Sequence, residues 1–494
     1  MPKRFISLLS VFIFIFTSLA GRCAYIALSN TYQVADTYNS YTLKIGTLYT
    51  NFYDRTGIKL NNNKTYYAAV IRPNEKCLSE LDKLFTADEI KEITEELSDG
   101  YPIVKYIAKF ADTKYIKLFK CYDNSVSACR HLLDKSCGGI ENYASEEIGS
   151  LSVNFSVDAL GRLLSGDEGT VVNDNYDSND GIVLSIDSKL QSIAEDAAKS
   201  IPKGAVVILD TQTSEILACV SRGDDYVNRA LSPYAIGSVF KLVVAVCALE
   251  NNIDPLYTCT SKIKVADMTV HCQKNKRHSM QTIKTALANS CNCYFVNLAL
   301  KLGSDKINET AKKLGFGSSF NIYRNWNVNS GTFPDENTLS SRGQLALIGF
   351  GQGKLTDSPL HFASVISCIA NGGSYNSPTL DILNTSIEDK DKEKDKNQVI
   401  SENTTEKIKE YMHYVVTNGT GSTADYHNKT AGKTATAQSG IYNNQTEILN
   451  TWFAGFYPYN SPKYSIVVMR ENGTSGAGDC CPVFRSIVEK IDKM

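Results

Sequence analysis

Three short patterns constrain this chain more tightly than its composition does, and they matter by their order: Ser238-Val239-Phe240-Lys241, then Ser290-Cys291-Asn292, then Lys433-Thr434-Ala435-Thr436. A Ser three residues before a Lys is common, and Ser200-Ile201-Pro202-Lys203 and Ser261-Lys262-Ile263-Lys264 share that spacing. Only Ser238 follows a glycine, Gly237, and opens a strongly apolar helical run from Leu242 to Leu249. That context predicts the Ser238 hydroxyl at a helix N-terminus, where partial positive charge favours an oxyanion, with Lys241 one turn on and facing the same way.

A serine hydroxyl is a poor nucleophile until a base takes its proton, and none of the three patterns contains a His. Lys241 is therefore the candidate base. It must be neutral for that role, which calls for burial and a second cation, Lys433, to depress its pKa. Ser290 is the candidate proton relay. Asn292 is placed to donate its amide to a substrate carbonyl and to help hold Lys241. The backbone amides of Ser238 and Thr436 are candidates for an oxyanion hole, where one donor supplies ~3 kcal/mol of transition-state stabilisation. Lys433, Thr434 and Thr436 are candidates for a terminal carboxylate, which points to a peptide acid as acyl donor.

With 494 residues the chain exceeds a usual single core, so two or more domains are expected. A net charge of −2 without a basic stripe argues against nucleic-acid binding. Lys3 and Arg4 precede an uncharged, mostly apolar run from Phe5 to Gly21, which Cys23 to Leu28 extend past Arg22. This is a membrane-targeting pattern, read as an uncleaved anchor over a cleaved signal. The 14 cysteines form no repeating framework. Most read as buried thiols, Cys291 and Cys293 as packing residues, and Cys259 with Cys272 as a pair able to meet across a hairpin. Neither cysteines nor histidines show metal-ligand spacing, so no metal site is expected.

Residues 29–175 read as an irregular α+β module with an acidic helical patch near Leu84 to Leu97 and a turn at Asn51-Phe52-Tyr53-Asp54-Arg55-Thr56-Gly57. A new domain starts at about 176. Its expected elements are a strand at Ile182 to Ile186, an amphipathic helix at Ser188 to Ala198, and a hairpin of Gly204–Leu209 with Glu215–Ser221. Three further strands are expected at Thr430–Ser439, Thr451–Tyr457 and Tyr464–Arg470, with a closing helix at Val483–Ile491. Trp452 and Phe453 read as strand core. The mixed-charge stretch from Glu388 to Lys396 reads as a solvated loop.

The three patterns are the set found in active-site-serine β-lactamases and penicillin-binding proteins, and the chain resembles a class B penicillin-binding protein over most of its length. Tyr53-Asp54-Arg55-Thr56-Gly57 is similar to the signature that opens that family's membrane-proximal pedestal. Ile186-Asp187 with Gln191 and Glu195, Asn228-Arg229-Ala230, Gly351-Gln352-Gly353, Asn371-Gly372-Gly373, Gly419-Thr420-Gly421, Trp452-Phe453-Ala454-Gly455 and Pro482-Val483-Phe484 continue the likeness in order.

The resemblance implies an α+β chain with a membrane anchor at 1–28, an elongated pedestal at 29–175, and a transpeptidase domain at 176–494 with an antiparallel sheet flanked by helices. The implied activity is a D,D-transpeptidase needing no cofactor. It attacks the D-Ala-D-Ala end of a peptidoglycan stem peptide, releases D-Ala, and passes the acyl group to an amine, with β-lactams acylating Ser238. It further implies a single-pass protein of the cell membrane with its catalytic domain outside the cytoplasm and a membrane glycosyltransferase as partner. Ala435 departs from the family's usual Gly; its methyl shares a face with Lys433 and is expected to crowd the substrate or the Ser238 helix. Two other readings stay open: a non-catalytic β-lactam-binding receptor or wall-assembly scaffold, and a serine β-lactamase.

Overall fold

The computed structural model describes residues 3–28, 40–125, 128–158, 160–382, 397–443 and 445–494; the charged stretch from Glu388 to Lys396 lies outside them. The N-terminal helix Lys3–Leu28 carries an exposed apolar stretch, Ile6–Tyr25, with mean hydropathy 1.9. At ~1.5 Å per residue such a stretch measures about 30 Å, the thickness of a bilayer's hydrocarbon core, so this helix is long and apolar enough to cross a membrane.

The chain folds into two compact units that interleave in sequence. One comprises residues 1–48, 65–122 and 147–178; the other comprises 49–64, 123–146 and 179–494. Segments 49–64 and 123–146, which the sequence groups with the N-terminal module, thus pack with the larger unit.

The smaller unit holds two three-stranded sheets. In one, Glu147–Ser156 runs between Ser40–Tyr49 and Thr170–Asp174; in the other, Lys64–Ile71 runs between Ile103–Ile107 and Lys117–Asp123. Lys64–Ile71 feeds two cores by strand alternation. Ala68 and Val70 join Ile45, Val153 and Phe155, while Ala69 and Ile71 join Leu81 and Ile93. The acidic patch is the helix Ala87–Glu96, started by a capping box between Thr86 and Glu89.

The larger unit is built on a five-stranded antiparallel sheet. Among its elements, in chain order, are α1 (Ser188–Ala198), β1 (Gly204–Asp210), β2 (Ile216–Arg222), α2 (Lys241–Glu250), α3 (Ile283–Ala288), α4 (Asn292–Leu302), α5 (Pro359–Ala370), α6 (Glu402–Asn418), β3 (Ala431–Asn443), β4 (Thr446–Tyr457), β5 (Tyr464–Arg470) and α7 (Cys481–Ile491). The spatial strand order is β2-β1-β5-β4-β3, every neighbouring pair antiparallel. Helices cover both faces, so the strands read as near-continuous apolar runs. Val207, Leu209, Trp452, Ala454 and Val467 face the core shared with α2, α4 and α5. Val206, Ile208, Phe453, Ile466 and Val468 face α1 and α7.

The expected strand at 182–186 is shorter, Gly181–Val183, and pairs in parallel with Asn51–Tyr53. β3 and β4 run longer than expected because their distal ends continue as a two-stranded ribbon, Tyr442 opposite Glu447.

The turn after Tyr53 ties this unit together at its entry. Asp54 Oδ1 accepts from Thr56 N, Thr56 Oγ1 and Ile58 N, each at 2.8 Å, and Oδ2 accepts from Ser188 N at 3.1 Å at the start of α1. Arg55 reaches Glu215 at 2.9 Å beside β2. Burial alone would raise the Asp54 pKa, yet these donors hold its carboxyl below the usual range. The stabilisation is therefore present above the unfolded carboxylate pKa and is lost as pH falls through the lowered folded value. Asp54→Ala removes the buried acceptor of four hydrogen bonds and should cost ~2 kcal/mol. Thermal unfolding at neutral pH checks this, and an unchanged midpoint contradicts it.

Candidate active site

The nucleophile's position is set by backbone that only glycine tolerates. Gly237 has φ +57°, and a Cβ there would stand 2.9 Å from the Ala437 Cβ. Gly351, at φ +83°, passes so close that its Cβ would overlap the Gly237 carbonyl. This squeeze makes Gly237–Phe240 a single 3-10 turn, so α2 proper begins at Lys241, not at Ser238 as expected. α2 is buried from Lys241 to Ala248, which explains its apolar residues on every side.

Lys241 is wholly buried beneath three partly exposed groups. Its Nζ lies 2.8 Å from Ser238 Oγ, 3.0 Å from the Ser290 carbonyl, 3.2 Å from Ser290 Oγ and 2.7 Å from Asn292 Oδ1. The Phe295 ring lies beneath it, 5.8 Å from Nζ to the centroid. Ser290 sits in the break between α3 and α4 at φ +49°, a left-handed conformation costly for a residue with a Cβ. In that conformation its carbonyl and its hydroxyl both reach Lys241. Asn292 donates from Nδ2 to the His271 carbonyl at 2.9 Å, so one of its two amide hydrogens is committed to the protein.

Lys433, on β3, is likewise fully buried and donates to Ser290 Oγ at 3.1 Å and to the Thr434 carbonyl at 2.8 Å. Ser290 Oγ therefore bridges two lysine amines. Burial pushes the Lys241 pKa down to about 8, opposed by the nearby Cys291, Cys272 and Cys293. Burial pushes Lys433 well below its ordinary value too, and here repulsion from Lys241 adds to it. Desolvation is thus the leading cause for both lysines, and the mutual repulsion weighs on Lys433 more than on Lys241.

The Thr434 hydroxyl lies 2.8 Å from that of Thr420, and Thr420 N donates to the Ala288 carbonyl at the end of α3. The Gly419-Thr420-Gly421 motif is thereby explained: a Cβ on Gly419 would meet the Ala288 carbonyl at 2.5 Å. Thr436, half-buried, accepts at Oγ1 from Gly476 N at 3.3 Å. Ala435 is only 3% exposed and lies in the core with Trp452, so its methyl does not stand in the opening; Ala437 on the same face is the residue that meets the nucleophile turn. Gly432 also has a packing reason, because a Cβ would meet the Phe453 ring at 2.3 Å. Trp452 is buried and donates to the Ala235 carbonyl at 3.0 Å.

The flanking motifs are structural ties. Arg229 pairs with Asp225 at 2.6 Å and with Glu471, just past β5, at 2.9 Å. Gln191 anchors α1 to β2 by accepting from Cys219 N at 2.9 Å. Thr420, Phe295 and the His271 carbonyl were not singled out from sequence; Thr420 lies inside a recognised motif, but backbone acceptors leave no mark in a sequence.

The sequence shows no local metal-ligand spacing, but the fold brings four candidate ligands together. Cys259, Cys272, His278 and Cys291 converge with their ligand atoms all within 4.8 Å of one another. Local spacing could not show this, because two strand pairs and the turn that starts α4 bring the four together.

Residues 204–489 match the family model of the penicillin binding protein transpeptidase domain. The chain is 28% identical to stage V sporulation protein D of Bacillus subtilis over 85% of its own length and 73% of that protein. It is 27% identical to the peptidoglycan D,D-transpeptidase MrdA of Haemophilus influenzae over 62% of its own length, spanning 56% of that relative. The solved penicillin-binding protein PBP2 of Helicobacter pylori shares the fold with a TM-score of 0.65 and 19% identity, covering 92% of this chain and 99% of that one. With the three motifs gathered around one buried amine, the chain belongs to the penicillin-binding transpeptidase family, among the class B peptidoglycan D,D-transpeptidases.

Proposed function

We propose that Ser238 is the acyl-accepting nucleophile of this peptidoglycan transpeptidase, Lys241 its base, Ser290 its proton relay and Lys433 the cation that recognises the donor's terminal carboxylate. The observation that carries this reading is the Lys241 amine lying 2.8 Å from Ser238 Oγ while also touching Ser290 and Asn292. Two buried ammonium groups sharing one hydroxyl repel each other in a low-dielectric site, so they do not both hold a proton readily. An anionic donor draws the proton to Lys433 and leaves Lys241 neutral.

Lys241 then takes the Ser238 proton as Oγ bonds to the carbonyl carbon of the penultimate D-Ala. The backbone N–H groups of Ser238 and Thr436 receive the oxyanion. Collapse breaks the peptide bond, and the departing D-Ala amine takes the proton from the Lys241 ammonium through the Ser290 hydroxyl. An acceptor amine attacks the ester by the reverse path, which restores Ser238. A β-lactam enters the same first step, but its leaving group stays tethered and blocks the acceptor.

Thr434 and Thr436 complete the carboxylate site, and Ala435 is read as neutral to turnover. The domain roles follow: anchor at 1–28, pedestal at 29–175 and transpeptidase domain at 176–494, with the catalytic part outside the cytoplasmic membrane and a membrane glycosyltransferase supplying the glycan strand.

Ser238→Ala should abolish covalent labelling by a fluorescent penicillin, and peptide mass mapping of the wild type should place the adduct on Ser238; an adduct elsewhere sinks the assignment. The wild-type acylation rate should be level below pH about 8 and fall about tenfold per pH unit above it, because the pair then loses the one proton that the donor's carboxylate draws to Lys433. A flat profile across that range excludes this one-proton pair. Ala435→Gly should leave acylation unchanged or faster. An acyl-enzyme that hydrolyses rapidly would favour the β-lactamase reading, and labelling without D-Ala release from a stem-peptide donor would favour a receptor.

A further inference from the structure

The insert between α2 and α3 carries chemistry that acylation does not use. It consists of two small hairpins, Tyr257–Cys259 paired with Ser279–Gln281 and Lys262–Val265 paired with Met268–His271. Cys259 ends the first strand, Cys272 follows the inner hairpin, and His278 precedes the return strand. Cys291 stands between Ser290 and Asn292. The Cys259 Sγ lies 3.6 Å from Cys272 Sγ and 3.6 Å from His278 Nδ1, and Cys272 Sγ lies 3.8 Å from Cys291 Sγ. All three cysteines are buried. Zinc binds thiolates at ~2.3 Å in a tetrahedron, which sets sulfur–sulfur edges of about 3.8 Å.

A plain packing role does not call for three thiols and an imidazole nitrogen pointing at one spot. A Cys259–Cys272 disulfide would use two of the four and leave the other two unexplained. We infer that Cys259, Cys272, Cys291 and His278 through Nδ1 bind one zinc ion in a closed, four-coordinate structural site. On binding, the three thiols release three protons to solvent and no electron is transferred. Cys293, 3.5 Å from Cys272 Sγ, lies outside the four and is not a ligand.

The site fastens the insert to the catalytic turn at its centre. His271, next to Cys272, gives its carbonyl to Asn292, and Asn292 holds Lys241 at 2.7 Å. Cys259, Cys272, His278 and Cys291 are thus positioning residues for Ser290 and Asn292. That consequence rests on the function proposed for Lys241, whereas metal content does not.

The test uses the full-length protein in detergent, purified with reductant and without chelator. Plasma mass spectrometry should find about one zinc per chain in the wild type and in Cys293→Ser, and a loss in Cys259→Ser and His278→Ala. Should those two variants misfold, cobalt(II) exchanged into the wild type decides the point: thiolate charge-transfer bands with strong visible bands of a tetrahedral ion support the site. A wild type that takes up neither metal, or one whose mass map shows a Cys259–Cys272 disulfide, overturns it. Zinc-stripped, still-folded protein should acylate Ser238 about tenfold more slowly, with recovery on adding zinc back. Unchanged acylation overturns the positioning role, while the residue labelled by penicillin reports on the proposed function separately.

Discussion

A fully buried lysine amine beneath a serine hydroxyl is the constraint around which the larger unit is organised. Taking a cation out of water costs several kcal/mol unless polar partners replace the lost hydration. Lys241 has four oxygens within 3.2 Å, from three residues on two separate segments, and an aromatic face below. Supplying them demands strained backbone at Ser290, which holds a side chain in the left-handed region, and glycines at 237 and 351, where positive φ and close approach leave no room for a Cβ. Strain of that kind persists only where surrounding packing over-determines it. The helix after Ser238, buried from Lys241 to Ala248 and packed against α4, α6 and the helix Ser304–Lys313, supplies that packing.

The three motifs come from segments far apart in sequence, and the fold joins them at one atom. Ser290 Oγ accepts from Lys241 and from Lys433 at nearly equal distances, 3.2 and 3.1 Å. Neither lysine is placed by its own element alone. Lys433 depends on β3, which in turn is set by Gly432 over the Phe453 ring and by the Thr434–Thr420 contact that reaches back to α3. α3 ends at Ala288, two residues before Ser290. The proton path and the sheet edge are therefore mechanically linked, and a change in β3 register would move both lysine contacts together.

Much of this was legible in the sequence where a local rule had a single solution. The helix Ser188–Ala198 has a clear apolar stripe and an Asp187 cap, and it stands at the expected residues. The β1–β2 hairpin and β5 follow from apolar runs bounded by polar turns. Sequence was weaker where meaning depends on a distant partner. Gly432 is required by the Phe453 ring on the next strand, a neighbour that its own segment does not reveal. Segments 49–64 and 123–146 read as part of the module around them, yet Phe52, Leu132 and Leu133 are buried in the larger unit's core. Periodicity reports that a residue is buried, not against what.

The cysteines show the same limit most sharply. Cys291 occupies the variable position of a catalytic motif, and within that motif it reads as filler. The fold gives it neighbours from two hairpins, so the same three residues Ser290-Cys291-Asn292 face in two directions. The outer pair turn toward the lysines and the middle one toward Cys272. A tight turn that exposes alternate side chains to opposite sides is what allows one segment to serve two networks. Because Asn292 also grips the His271 carbonyl, the two networks meet again one residue later. Displacement of the insert must then travel to Lys241 through the Asn292 side chain and the Ser290 turn.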